Sequence, residues 1–85
     1  MVVVVLPGIL ASEAGGRKRF ELDAATVGDA LRSLPVADRV LDERGELRPL
    51  VNVYVDGEDV RLSGGVDAPV PASAEVLVLP SVAGG

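Results

Sequence analysis

The sequence predicts an α+β domain, a mixed sheet of four to five strands with one main helix across one face. Three observations carry that prediction. Several short segments are β-branched or alternate apolar with polar residues at a period of two, whereas a single segment repeats its apolar residues at helical spacing. The apolar content of 48% is almost wholly Val, Leu and Ala, with Phe20 and Tyr54 the only aromatics, which suits a twisted sheet packed by aliphatic side chains. A chain of 85 residues forms one domain, 1–85, and has little room for an enclosed active-site cavity.

Each element has its own signal. Val2 to Leu6 is a β-branched run ended by Pro7-Gly8 and is expected to be the central first strand. Glu13 to Gly16 supplies a turn, and in the segment from Arg17 to Leu22 the side chains of Lys18, Phe20 and Leu22 share one face, which makes a first hairpin. At Thr26-Val27-Gly28-Asp29 the Thr26 hydroxyl is placed to cap a helix, with Asp29 standing in for the usual Glu of a capping box. Val27, Ala30, Leu31 and Leu34 then form one helical stripe, which Pro35 ends. Val36 to Leu41 is expected to add a short helical turn, and Asp42 to Pro49 reads as a charged surface loop. In Leu50 to Val55 the valines Val51, Val53 and Val55 share the core face, and Asp56-Gly57 closes the strand in a turn. Glu58 to Leu62 reads as a short extended segment ended by Gly64-Gly65. Pro69 and Pro71 keep the next stretch out of a central ladder, and a last strand, Glu75 to Leu79, stops at Pro80. Residues 80–85 are expected to be a flexible tail. Two hairpins around one crossover helix let the first and last strands lie parallel in mid-sheet, which is the β-grasp (ubiquitin-like) arrangement.

Composition removes several classes of function. The chain has no Cys and no His, so thiol nucleophiles, disulfides, zinc centres of the usual type and the commonest neutral-pH base are absent. No serine sits in a nucleophile elbow. With a formal charge of -5 and only Arg17-Lys18-Arg19 as a basic run, no stripe for a phosphate backbone exists, and nucleic acid is not an expected partner. That run reads as a solvated hairpin edge. Asp56, Glu58 and Asp59 lack the spacing of a calcium loop, so no metal is expected. The start carries no secretion signal and no segment reaches membrane-spanning length, so the expectation is a cytoplasmic protein that is a monomer when free.

Three segments carry a resemblance: Val51-Asn52-Val53-Tyr54-Val55-Asp56-Gly57-Glu58-Asp59-Val60-Arg61, then Leu62-Ser63-Gly64-Gly65, and the end Leu79-Pro80-Ser81-Val82-Ala83-Gly84-Gly85. They resemble the ubiquitin-like sulfur-carrier family of the ThiS/MoaD type, most of all its actinobacterial cysteine-biosynthesis members. The Pro-x-Val-Ala-Gly-Gly ending directly after a last strand is the specific part. The resemblance implies a carrier and not an enzyme. A separate adenylating enzyme of the ubiquitin-activating type uses ATP to convert the Gly85 carboxylate to an acyl-adenylate, sulfur replaces the AMP, and a downstream sulfur-accepting synthase takes the thiocarboxylate. No cofactor is bound by the carrier itself.

The residue types suit that chemistry. Without a Cβ, Gly84 and Gly85 can thread a narrow channel that other residues could not. Strand parity puts Leu77 and Leu79 on the open sheet face if Val76 and Val78 face the helix, and the family's register brings Leu62 near them. The resemblance makes Leu62, Leu79, Pro80, Val82 and Ala83 the partner-binding residues beside the working Gly84-Gly85. Tyr54 supports either the open face or a partner contact. Gly64-Gly65, being internal, is only a turn. Rival readings are a ubiquitin-like modifier joined to proteins through Gly85, the small subunit of molybdopterin synthase, which tends to carry Phe where Leu62 and Leu79 stand, and a plain interaction module with an idle tail.

Overall fold

β1 (Val2–Val5) and β5 (Glu75–Pro80) run parallel at the centre of the sheet, in the register Val3 to Glu75, Val4 to Val76 and Val5 to Leu77. The structure, a computed structural model, describes residues 1–80, so the expectations for Val82, Ala83, Gly84 and Gly85 lie outside the described residues. β2 (Arg19–Leu22) pairs antiparallel with β1, β3 (Val51–Val55) pairs antiparallel with β5, and β4 (Glu58–Asp59) closes the far edge, giving the order β2-β1-β5-β3-β4. This is the predicted α+β arrangement.

One face of the sheet is the core. Val2, Val4, Val53, Val76 and Val78 are at most 1% exposed and form one apolar cluster with Leu10, Val27, Ala30, Leu31 and Val40 from the helices. Strand alternation explains this directly: residues at i and i+2 share a face, so burying Val76 and Val78 turns Leu77 and Leu79 outward. In α2 (Val27–Arg32) the Thr26 hydroxyl accepts a hydrogen bond from the Asp29 N–H at 3.2 Å, the cap expected from the sequence. Val27, Ala30 and Leu31 are fully buried and Leu34 nearly so, as the helical stripe requires. Gly28 sits where α2 meets the 3-10 turn Gly65–Asp67: a Cβ there would stand 3.1 Å from the Val66 carbonyl oxygen, closer than an ordinary contact, so a larger residue would push the turn outward by a few tenths of an ångström. A short α3 (Ala37–Val40) follows.

Three expectations are corrected. The first connection is not a bare turn: α1 (Gly8–Glu13) lies inside it and buries Leu10 and Ala11. Pro7-Gly8 reads as a stop, yet Pro7 is the N-cap, where its missing N–H is not needed, and its carbonyl accepts from the Ala11 N–H at 2.8 Å. The helical layer therefore gains α1 beside α2 and the short turn of α3. The segment from Glu58 to Leu62 is extended only over Glu58–Asp59, after which Val60–Leu62 forms a 3-10 turn. The Asp59 carboxylate caps that turn by accepting from the Arg61 N–H at 2.9 Å, and Val60 turns into the core. Finally, β5 includes Pro80, and β3 starts at Val51, one residue after Leu50.

The loop from Asp42 to Pro49 holds itself in shape through one carboxylate. The Asp42 side chain accepts from the Glu46 N–H at 3.0 Å and the Arg44 N–H at 2.9 Å, and these bonds, the Glu46 one foremost, hold its pKa below the ordinary aspartate value. A lowered carboxylate pKa contributes stability above the ordinary value, and that contribution is lost as pH falls through the lowered one.

The core and the cap separate in size. Leu31→Ala should cost about 3 kcal/mol of unfolding free energy and Thr26→Ala about 1 kcal/mol, measured by urea unfolding. Equal losses would contradict this picture of the helical face.

Candidate functional site

The candidate site is the corner where β5 ends. Val51 lies opposite Pro80, Asn52 opposite Leu79 and Tyr54 opposite Leu77. The Asp56 N–H donates to the Glu75 carbonyl at 2.9 Å, so the pair beyond Val55–Val76 is hydrogen-bonded. Alternation along the antiparallel ladder then makes Tyr54–Leu77 and Asn52–Leu79 hydrogen-bonded pairs, and Val53–Val78 and Val51–Pro80 non-hydrogen-bonded ones. This parity explains how proline is accommodated in a central strand. The ring nitrogen of Pro80 points away from β3 to a side where β1 has already ended, its pairing with β5 stopping at Val5–Leu77, so no ladder bond is lost.

On the open face the apolar residues form a strip across the three central strands. Val3 and Val5 from β1, Leu77 and Leu79 from β5 and Tyr54 from β3 all point away from the core by register. Leu79 is 38% exposed, and the others are half-buried. Arg19 and Glu21 of β2, Glu75 of β5 and Asp59 of β4 flank the strip with charge. Leu62 is 84% exposed, but on the 3-10 turn and not on a strand. It is tied to the corner through its neighbour Arg61, whose guanidinium donates to the Asn52 side-chain oxygen at 3.1 Å, and Asn52 is the cross-strand partner of Leu79.

The described residues thus place Leu79 and Pro80 at the end of β5, with Leu62 on the turn whose Arg61 bonds Asn52. Three further apolar residues on the open face or beside it were not foreseen as site residues. Val3 and Val5 belong to the open strip but sit in an unbroken valine run, which conceals its own parity. Leu50, immediately before β3, is 56% exposed. A shallow groove beside the β3–β4 turn has its polar groups already engaged: the Ser63 hydroxyl donates to Glu58 Oε1 at 2.5 Å, and the Glu75 N–H donates to Asp56 Oδ1 at 2.9 Å. Among the described residues no cluster of acidic side chains is arranged to hold a metal ion, and no helix is long and apolar enough to cross a membrane.

Comparisons with known proteins agree with this geometry. The ThiS family matches residues 4–85. The sulfur carrier protein CysO of Mycobacterium tuberculosis is 36% identical over 91 residues, covering 99% of this chain and 98% of that protein. In the crystal structure of the Amycolatopsis orientalis BexX/CysO complex, the matching chain superposes with a TM-score of 0.85 at 38% identity, with 100% of both chains covered. The small archaeal modifier protein 1 of Haloferax volcanii superposes with a TM-score of 0.71 at 33% identity, covering 95% of this chain and 97% of that one.

Exposed apolar residues that serve no fold should be free to change. Leu62→Ser and Leu79→Ser should each shift unfolding free energy by less than about 0.5 kcal/mol in urea titrations. A loss above about 2 kcal/mol for either would make it a core residue.

Proposed function

This chain belongs to the ThiS family and is a sulfur carrier protein, and we propose that its working group is the Gly85 carboxylate, activated and loaded by other enzymes. The observation that carries the reading is that the family match continues through Gly85, on a chain whose residues supply no thiol or imidazole to activate a carboxylate. A resting carboxylate is a poor electrophile. In the proposed cycle a carboxylate oxygen attacks the α-phosphorus of ATP in a separate adenylating enzyme, pyrophosphate leaves, and an acyl-adenylate remains. A sulfur nucleophile then attacks the acyl carbon and AMP departs, so that one hard substitution becomes two easier ones. With hydrosulfide as that nucleophile the product is directly a Gly85 thiocarboxylate, the nucleophile offered to a sulfur-accepting synthase. ATP is a substrate of the partner and not a ligand of the carrier.

The folded domain supplies recognition in this scheme. Ordering residues of an arm inside a partner costs about 1 to 2 kcal/mol per residue, which contacts elsewhere must offset. The open strip with Leu77 and Leu79, together with Leu62, is the surface we assign to that task, and exposed apolar patches on small domains commonly serve it. Pro80, Val82 and Ala83 form the approach to Gly84-Gly85. A CysO chain is held in the BexX/CysO complex, and a comparable partner is proposed for this chain. Likeness to the small archaeal modifier protein 1 favours a second reading, conjugation to proteins through Gly85.

ATP–pyrophosphate exchange by the host's adenylating enzyme should depend on this protein and vanish when Gly84-Gly85 is deleted. Leu79→Asp should weaken the response at least about tenfold, or 1.4 kcal/mol, while the fold is kept. Exchange that survives the deletion would refute the assignment to Gly85. A ladder of conjugates in place of free thiocarboxylate would favour the modifier.

A further inference from the structure

Arg61 makes a set of bonds unlike those of any other side chain in the described residues. One guanidinium nitrogen donates to the Val51 carbonyl at 2.6 Å and the Arg48 carbonyl at 3.0 Å, and the other donates to the Asn52 side-chain oxygen at 3.1 Å. All three acceptors are uncharged; two belong to the start of β3, and the third, the Arg48 carbonyl, lies in the loop before it and also accepts the Val51 N–H at 3.0 Å. The ladder explains why the Val51 carbonyl needs a donor. The parity set out above turns the Val51 carbonyl away from β5, toward the side that β4 would cover. β4, however, is two residues long and pairs only with Tyr54 and Val55 before the chain bends into the 3-10 turn. The Arg61 side chain reaches back and occupies the place of the missing strand. An unpaired carbonyl on a partly buried strand is costly, and a charged donor makes the stronger kind of hydrogen bond.

The opposite end of β3 uses a similar device, on the side that faces β5. Asp56 closes the β3–β4 turn at φ 49, and its side-chain oxygen accepts the Glu75 N–H at 2.9 Å. Side chains therefore complete the hydrogen bonding of β3 at both ends, on the β4 side at Val51 and on the β5 side at Asp56. At one end the neighbour is a hairpin turn. At the other it is Val51–Pro80, the last rung before Ser81.

We infer that Arg61 is a positioning residue for activation: by pinning Val51 and Asn52 it holds Leu79 and Pro80 in register and so fixes the point from which residues 81–85 set out. This rests on the reading of Gly85 as the group that is adenylated. Arg61 touches no reacting atom in this scheme. A misplaced starting point lowers the fraction of docked molecules whose carboxylate is aligned, which is an effect on kcat, whereas the docking strip that governs KM stays intact.

The test is steady-state adenylation of full-length variants by the host's adenylating enzyme with ATP. Arg61→Ala should lower kcat about tenfold with KM for the carrier within about twofold, because a small misplacement suffices for such a loss. Arg61→Lys, whose single ammonium lacks the planar fork, should recover part of it. Asp56→Gly removes the bond at the far end without strain at positive φ and should leave kcat unchanged. An unchanged kcat in Arg61→Ala, a loss confined to KM, or an equal fall in Asp56→Gly would each overturn the inference. If the wild-type chain is not adenylated at all, the reading of Gly85 fails, and amide exchange then judges the clamp alone. Faster exchange at Asn52 and Leu79 in Arg61→Ala, but not in Asp56→Gly, supports it, and equal rates in wild type and Arg61→Ala refute it.

Discussion

The alternation of β5 is the constraint on which the rest of the structure depends. This strand lies between β1 and β3: β1 pairs with it from Glu75 to Leu77 and β3 from Val76 to Pro80, so every residue in it is committed to one face by at least one neighbour. Val76 and Val78 are fully buried against the helical layer, and that burial forces Leu77 and Leu79 outward. A slip of one residue would exchange the two sets and place the wrong side chains in the core. The same alternation lets Pro80 end the strand at no cost in ladder bonds. Core, open strip and strand exit are thus three results of one register.

Much of this was legible in the sequence because the signals were local. The cap at Thr26, the stripe of Val27, Ala30, Leu31 and Leu34, and the alternation in Val51 to Val55 each depend on residues within one element. The parallel centre followed from the order of elements and the rules of connection. Misreadings came where local signals conflict with tertiary context. Pro7-Gly8 reads as a terminator, and only the burial of Leu10 and Ala11 shows that it opens a helix. The β4 segment keeps strand-like residues through Leu62, yet the burial of Val60 and the capping bond from Asp59 bend it after two residues. Arg61 gave no signal as a structural residue, because its acceptors lie 9 to 13 positions earlier in the chain.

For the candidate site the division is different. Parity predicted the outward direction of Leu77 and Leu79, whereas it took the register of β1 to add Val3 and Val5 to the same strip. Leu62 was expected from family likeness, and the structure puts it on a turn linked to the strip through Arg61 and Asn52. The chemistry proposed for Gly85 rests on family membership and on residue types: the chain has no Cys or His, and in the proposed function a partner supplies the activation.

The central claim is that Gly85 carries sulfur as a thiocarboxylate. It is tested most directly by the intact mass of the protein isolated from its native host under gentle conditions. The account predicts a species heavier by the exchange of one oxygen for one sulfur, with the gain localised to Gly85 by fragmentation. A chain that gains no sulfur although a competent adenylating enzyme and a sulfur donor are present, or that carries sulfur at another residue, would contradict it.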